Sequence, residues 1–128
     1  MVAGHRGLKV YQVTFRVAMD IFRATKTFPR DEFSLNDQLR RSSRGVAANI
    51  AEAYRKRQYA KMFVSTLAVA DGELSETLVW LEFAAECGYL TQDQFNQMVG
   101  AYEEVGRMLG GMIAHPEKFA PRGKPDPQ

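Results

Sequence analysis

Residues 38–57, which read QLRRSSRGVAANIAEAYRKR, constrain the fold of this chain more than any other segment. In an α-helix, successive residues are rotated by about 100° around the axis. The apolar side chains of this segment then lie on one narrow arc, together with that of Leu35 just before it. That arc holds Leu35, Leu39, Val46, Ile50 and Ala53, whereas Arg40, Arg41, Arg44 and Arg55 lie on the opposite arc. Between the arginines stand only the small residues Ala47, Ala48 and Ala51. The pattern predicts a helix with one buried face and a low arginine surface, open to a phosphate backbone or to a second protein.

The same helical spacing of apolar residues recurs along the rest of the chain, with no alternation typical of strands. It predicts four helices at about 8–27, 35–55, 59–87 and 92–114. Because the connections are short, consecutive helices should pack antiparallel. The spacing and the short connections therefore predict that residues 1–114 form an all-α domain, which is an antiparallel up-down-up-down four-helix bundle. The Pro-rich tail, residues 115–128, is expected to be mostly disordered.

Local signals set the predicted helix ends. Pro29 should end helix 1, because the residue before a proline disfavours the helical conformation. Ser34 is a candidate N-cap for helix 2. Gly88 should end helix 3, and Thr91 with Gln94 forms the capping-box pattern that begins helix 4.

Composition and charge narrow the class of protein. The 128 residues include one cysteine, Cys87, and hold no apolar stretch long enough to cross a bilayer. Because no signal-peptide pattern begins the chain, we expect a cytoplasmic protein. The net charge is only +2, but residues 1–61 carry 13 Lys and Arg against 5 Asp and Glu, and residues 62–114 carry 1 against 8. This asymmetry fits a basic patch for polyanions, or two halves that neutralise each other within or between subunits.

Helices 1 and 3 carry more apolar surface than one bundle face requires. In helix 1, Val10, Val13, Val17 and Ile21, together with Tyr11, Phe15, Ala18 and Phe22, span more than half of the circumference. Helix 3 has a second apolar stripe of Met62, Val69, Trp80 and Phe83. Soluble monomers rarely leave such patches bare. We therefore predict a homo-oligomer whose interface contains Val10, Val13, Val17, Ile21, Met62, Val69, Trp80 and Phe83.

Several motifs resemble those of a bacterial four-helix-bundle family, whose first members were encoded in intervening sequences of large-subunit ribosomal RNA genes. The resemblance covers residues 8–113. It rests on Leu8 to Tyr11, Phe28-Pro29, Gln38 to Arg41, Ser43, Val46, Ala48 to Glu52, Ala70, Gly72, Glu76, Leu78 and Gly88 to Leu90. The chain departs from the family at Ala47 and Ala53, where proline and glycine are usual, and both changes favour a smoother helix 2.

The chain resembles, more distantly, the accessory variability proteins of diversity-generating retroelements. Those proteins form basic pentameric barrels that bind a reverse transcriptase and nucleic acid. This resemblance implies a ring-like homo-oligomer, with a pentamer favoured, and contact with RNA or DNA.

These observations favour a non-catalytic oligomeric scaffold that binds RNA or DNA phosphates without strong sequence preference. The candidate contacts are Arg40, Arg41, Arg44, Arg55, Lys56, Arg57 and Lys61. The alternative is a protein–protein adaptor, in which the same arginines pair with acidic residues of a neighbouring subunit or of another protein. The sequence has no Gly-rich phosphate loop after a strand, no evident nucleophile–base pair and no Glu-x-x-His pattern. We therefore expect no catalytic residues, metal or cofactor.

Overall fold

The computed structural model describes residues 4–122 as an all-helical fold. The α-helices are α1 (Lys9–Thr25), α2 (Phe33–Arg55), α3 (Ala60–Glu86) and α4 (Gln92–Ala114). Short 3₁₀ turns lie at Gly4–Gly7, Arg30–Glu32 and Pro116–Lys118. Residues 4–122 contain no strand, so the prediction of an all-α chain with four helices is confirmed.

Each helix packs against two others, and the contacts close into a cycle: α1 with α2, α2 with α3, α3 with α4, and α4 with α1. Within the described part of the chain, no Cα atom of α1 comes within 8 Å of α3. The same holds for α2 and α4. Helices α1 and α3 therefore occupy opposite corners of the packed helices, and each has an outer face that no other helix covers.

The helix ends lie within two residues of the predicted ones. At the start of α4, the Thr91 hydroxyl accepts a hydrogen bond from the Gln94 amide, and the Gln94 side chain accepts one from the Thr91 amide, which confirms the capping box. Gly88, with φ +79°, follows α3 in the left-handed conformation that favours glycine. The N-cap assigned to Ser34 is wrong, because the 3₁₀ turn Arg30–Glu32 leads directly into a helix that begins at Phe33.

The core is built from the inward faces of all four helices. The apolar arc of α2 lies inside it as expected, and Leu39, Val46 and Ile50 are at most 1% exposed. Phe63 of α3 and Tyr102 of α4 are fully buried beside them. One face of α2 is therefore committed to the core, and its other face is free for the candidate site.

The structure corrects the predicted interface role of Val10, Val13, Val17 and Ile21. These side chains are between 1% and 5% exposed and belong to the core of the chain itself. They cannot contact another subunit, because α1 turns this arc toward α2 and α4. The apolar surface that α1 leaves outside is instead its other arc, where Phe15 is exposed and Tyr11 and Phe22 are half-buried.

Helices α2 and α3 approach closely where their facing residues are small. The hydroxyls of Ser42 and Thr77, both fully buried, lie 2.8 Å apart. A Cβ atom added to Gly45 would stand 2.7 Å from Glu73 Oε2, so the carboxylate of Glu73 lies directly against the backbone of α2. This close approach places Arg41 of α2 next to the acidic residues of α3.

The beginning of the tail differs from the expected disorder. Residues Pro116–Lys118 form a 3₁₀ turn, and Phe119 is half-buried with its ring centroid 5.8 Å from that of Phe63. Through this contact, the segment after α4 packs against α3. The rest of the predicted disordered tail, residues 123–128, lies outside the described residues.

Candidate nucleic-acid interface

The outer face of α2 is not one continuous arginine surface. Arg41, Arg44 and Arg55 are exposed, whereas Arg40 is half-buried. Adjacent residues in a helix point about 100° apart, so Arg40 turns toward α1 and Arg41 toward α3. The packing of the neighbouring helices therefore divides the predicted arginines into groups with different surroundings.

Three cationic side chains surround the ring of Phe22 on α1. Lys26 Nζ lies 4.7 Å from the ring centroid, and the Cζ atoms of Arg40 and Arg44 lie 4.8 Å and 5.9 Å from it. We call Phe22, Lys26, Arg40 and Arg44 the Phe22 cluster. Each cation–π contact at an exposed site contributes about 0.5–1 kcal/mol. The ring thus offsets part of the repulsion between three like charges.

Arg40 is the most firmly held cation of the Phe22 cluster. Its Nε donates a hydrogen bond of 2.8 Å to Thr25 Oγ1, while its guanidinium lies over the Phe22 ring. The planar guanidinium has five N–H donors, so one hydrogen bond to Thr25 leaves others for a ligand. Arg40 is therefore oriented in advance and still able to bind an anion.

Among residues 4–122, no carboxylate compensates the charge of the Phe22 cluster. Within residues 4–122, no carboxylate forms an ion pair with Lys26, Arg40 or Arg44. Asp20, the acidic residue nearest to them along α1, is paired with Arg23 at 3.2 Å. Three cations without an anionic partner produce a local positive potential that attracts polyanions.

Arg41, predicted as a phosphate contact, has its charge neutralised inside the chain. Its Nη1 lies 3.3 Å from Glu73 Oε1, and its Nη2 donates to Glu76 Oε1. Gln38 Oε1 accepts from the same guanidinium at 3.1 Å and 3.2 Å. With these partners in place, Arg41 is not a free cation, and we remove it from the phosphate-binding set.

The remaining predicted cations lie at the other end of α2. Lys56 forms an ion pair of 2.7 Å with Glu52, so its charge is also compensated. The guanidinium of Arg57 lies 4.1 Å from the Tyr54 ring centroid and donates to the Tyr54 carbonyl. Arg55 and Lys61 are exposed, and neither has an ion-pair partner within residues 4–122. The rise of the helix places Arg55 about 16 Å from Arg44, so these cations form a second, looser basic region.

Phe22 and Lys26 are not among the basic-site residues predicted from the sequence. A signal was present, because residues four positions apart meet on one helix face and therefore bring Lys26 over Phe22. That signal could not bring in Arg40 and Arg44, since their positions over the ring depend on how α1 packs against α2.

The second apolar stripe of α3 lies on its outer face. Met62, Val69 and Phe83 are 46%, 52% and 56% exposed. Trp80 is half-buried, donates from Nε1 to Glu76 Oε1 at 3.2 Å and packs beside Phe83. No described residue covers this stripe, so its place in a subunit interface stays a prediction.

The metal-ligating and titratable side chains of the described residues bear on whether the chain could catalyse a reaction. Within 4–122 there is no group of three His, Cys, Asp or Glu side chains that could hold a metal ion. A hydrogen bond to Glu32 raises the pKa of Tyr89 to about 12, and burial raises the pKa of Tyr102. Both shifts keep the phenols protonated at neutral pH, so neither tyrosine is activated as a base or nucleophile.

No helix in the described part of the chain is both long and apolar enough to cross a membrane.

Comparison with known proteins supplies the family. No curated protein matches the chain. A crystal structure of a protein of unknown function from the S23 ribosomal protein family of Bacteroides thetaiotaomicron is similar to it, with a TM-score of 0.73 and 27% sequence identity. The similarity covers 81% of this chain and 97% of that one. A family model described as 23S rRNA-intervening sequence protein matches residues 6–111. Since that match spans most of the sequence, the chain belongs to the 23S rRNA-intervening sequence protein family.

Proposed function

We propose that this protein is a non-catalytic oligomeric scaffold that holds RNA or DNA phosphates against the Phe22 cluster, without strong sequence preference. The observation that carries the proposal is the grouping of Lys26, Arg40 and Arg44 around one aromatic ring, with no carboxylate paired to them among residues 4–122. A phosphate backbone supplies the missing negative charge, and each phosphate that is neutralised releases counterions.

The geometry of Arg40 supports phosphate binding over general charge attraction. Its hydrogen bond to Thr25 fixes the guanidinium before a ligand arrives, so less side-chain freedom is lost on binding. Guanidinium N–H donors match the oxygen spacing of a phosphate. Arg55 at the end of α2, Arg57 in the connection after it and Lys61 at the start of α3 extend the contact, as the sequence predicted, whereas Arg41 and Lys56 are paired with carboxylates.

The proposal includes an antiparallel bundle that assembles into a ring-like homo-oligomer, with a pentamer favoured by the resemblance to the accessory variability proteins. Ser42, in the first half of α2, lies beside Thr77, in the second half of α3, and this supports opposite directions for the two helices. The exposed apolar residues of α1 and α3 support self-association, because Phe15, Met62, Val69 and Phe83 each keep about half of their surface exposed in a single copy.

The test is the salt dependence of binding to a short single-stranded RNA, measured by fluorescence anisotropy between about 50 and 200 mM salt. The wild-type affinity should fall steeply as salt increases. The double variant Arg40→Ala/Arg44→Ala should bind more weakly and lower the slope of log K against log salt by about 1.4, or roughly 0.7 for each phosphate contact on a single strand.

The matched control is Arg107→Ala, which removes an exposed arginine of α4 that has no ion pair within residues 4–122. Its affinity and slope should equal those of the wild type. Circular dichroism should show the same helix content for all variants. A wild-type protein that does not bind RNA or the matching DNA at low salt would contradict the proposal, as would a double variant with an unchanged slope.

The second candidate is the protein–protein adaptor, and the ion pairs of Arg41 with Glu73 and Glu76 favour it. In these ion pairs, carboxylates of α3 neutralise the charge of an arginine on α2. If Arg40 and Arg44 serve in the same way at an interface, the double variant should reduce the mass of the oligomer rather than the salt slope. Light scattering on the same samples separates the two functions.

A further inference from the structure

The outer face of α1 forms a shallow groove of 480 Å³ with an apolar floor and a basic rim. Tyr11, Phe15 and Met19 contribute the apolar surface, and Phe15 is 52% exposed. Arg16 and Arg6 stand at the edge of the groove. Neither arginine has an ion-pair partner within residues 4–122, so the rim carries unbalanced positive charge.

The outer face of α3 has the opposite charge around a similar apolar centre. Val79 and Phe83 are 45% and 56% exposed and line a pocket of 310 Å³ together with Glu82 and Glu86. Neither glutamate is paired with a cation within the described residues. An apolar contact bordered by like charges needs a partner with the opposite sign, and the α1 groove has that sign.

A single chain cannot join these two faces to each other. Helices α1 and α3 occupy opposite corners of the bundle, and no Cα atoms of the two come within 8 Å. The α1 groove and the α3 surface can therefore come together only between two copies of the chain, with the groove from one copy and the α3 surface from the other.

We propose that the α1 groove of one copy receives the Val79 and Phe83 surface of a second copy, with Arg16 facing Glu82 and Glu86 at the edge. Phe15 of the first copy lies against the apolar pocket of the second. Because the two surfaces differ, the contact is head-to-tail. Each added copy leaves one α1 groove and one α3 surface free at the ends of the assembly, until the last copy meets the first and closes a ring. This inference rests on the self-association in the proposed function and is independent of the phosphate site.

The decisive test uses two variants that each lose one face. Phe15→Asp puts a carboxylate on the α1 groove, where it meets Glu82 and Glu86, and Phe83→Asp makes the α3 surface polar. By light scattering at micromolar concentration, the wild type should exceed the 14.5 kDa of one chain several-fold, and each variant alone should be monomeric. An equimolar mixture should form a heterodimer of twice that mass, because one intact groove and one intact pocket are left. The unused faces of the heterodimer are the groove with Phe15→Asp and the surface with Phe83→Asp. Two aspartates would meet if these faces came together, so the heterodimer should not assemble further.

A second arm tests the charges without removing apolar surface. Arg16→Glu and Glu82→Arg should each lower the mass of the oligomer, and the two substitutions in one chain should restore it, because the pair is reversed across every interface. Arg107→Glu on α4 makes the same change of charge outside both faces and should leave the mass unchanged. Circular dichroism and thermal unfolding should show that each variant is folded.

Either of two results would overturn the inference: a monomeric wild-type protein, or a mixture of the two aspartate variants that stays monomeric. The outcome is separate from phosphate binding. The Phe15→Asp monomer keeps the whole Phe22 cluster and should still bind RNA at low salt. If RNA binding fails while the heterodimer forms, the head-to-tail contact stands and the phosphate proposal does not.

Discussion

The hydroxyl of Tyr102 is a polar group buried in the core. The side chain is fully buried, and no group among residues 4–122 forms a hydrogen bond with the hydroxyl. A buried hydroxyl without a partner loses its bonds to water on folding and gains none in return. The ring of Tyr102, by contrast, packs between the helices and stabilises the fold, so only the hydroxyl oxygen lowers the free energy of unfolding.

Replacing Tyr102 by Phe should therefore stabilise the protein by about 1 kcal/mol. Urea denaturation followed by circular dichroism gives the difference in free energy of unfolding. Tyr89→Phe is the matched control, because the Tyr89 hydroxyl donates a 2.6 Å hydrogen bond to Glu32 and its removal should destabilise. A Tyr102→Phe variant less stable than the wild type would show that the hydroxyl has a partner.

Arg40 and Arg41 show how far residue-scale prediction from the sequence can reach. The helical pattern correctly placed both outside the core of α2. It could not tell that Arg40 lies over Phe22 whereas Arg41 pairs with Glu73 and Glu76. The direction of a side chain follows from helix geometry, but its partner depends on which helix packs on each side.

At the scale of the helices, Gly45 of α2 leaves room for the carboxylate of Glu73 on α3. A Cβ atom there would lie 2.7 Å from Oε2 and 2.9 Å from Cδ of Glu73, closer than side-chain atoms normally approach. The carboxylate would have to move, and its contact with Arg41 would be disturbed. Glycine inside a helix costs about 1 kcal/mol relative to alanine, and here the close approach offsets that cost.

Gly100→Ala and Gly45→Ala make a matched pair. Gly100 lies inside α4 with no atom within 4 Å of an added Cβ, so its replacement should stabilise by about 1 kcal/mol. Gly45→Ala should gain less stability than Gly100→Ala, because the carboxylate of Glu73 must move and its contact with Arg41 is disturbed. Thermal or urea unfolding measures both, and equal gains at the two sites would show that Glu73 moves without cost.

Helix α1 illustrates what the pattern of a single helix leaves open. Its apolar residues cover more than half of the circumference, and this signal correctly indicated surface beyond one core face. The sequence assigned Val10, Val13, Val17 and Ile21 to a subunit contact, yet they form the inner arc and Phe15 the outer one. With two apolar arcs available, only the position of the neighbouring helices decides which arc is buried.

At the scale of the whole molecule, Phe119 links the segment after α4 to α3. Phe119→Ala should destabilise the protein by about 1–2 kcal/mol, because a half-buried aromatic loses its contact with Phe63. Phe33→Ala is the control, since that ring is 71% exposed and its removal should change stability by less than about 0.5 kcal/mol. Urea denaturation of both variants measures the two differences, and similar values for them would indicate that Phe119 does not contribute.

The Phe22 cluster has a consequence beyond its three charges. A single copy binds a polyanion only weakly, because it offers three cations, and the two exposed ones, Lys26 and Arg44, are readily screened by salt. In a ring of the proposed kind, one strand of nucleic acid can engage several copies, and each bound segment raises the effective concentration of the next. Avidity of this kind would let a chain with a net charge of only +2 act as a strong polyanion binder when assembled and release its ligand on dissociation.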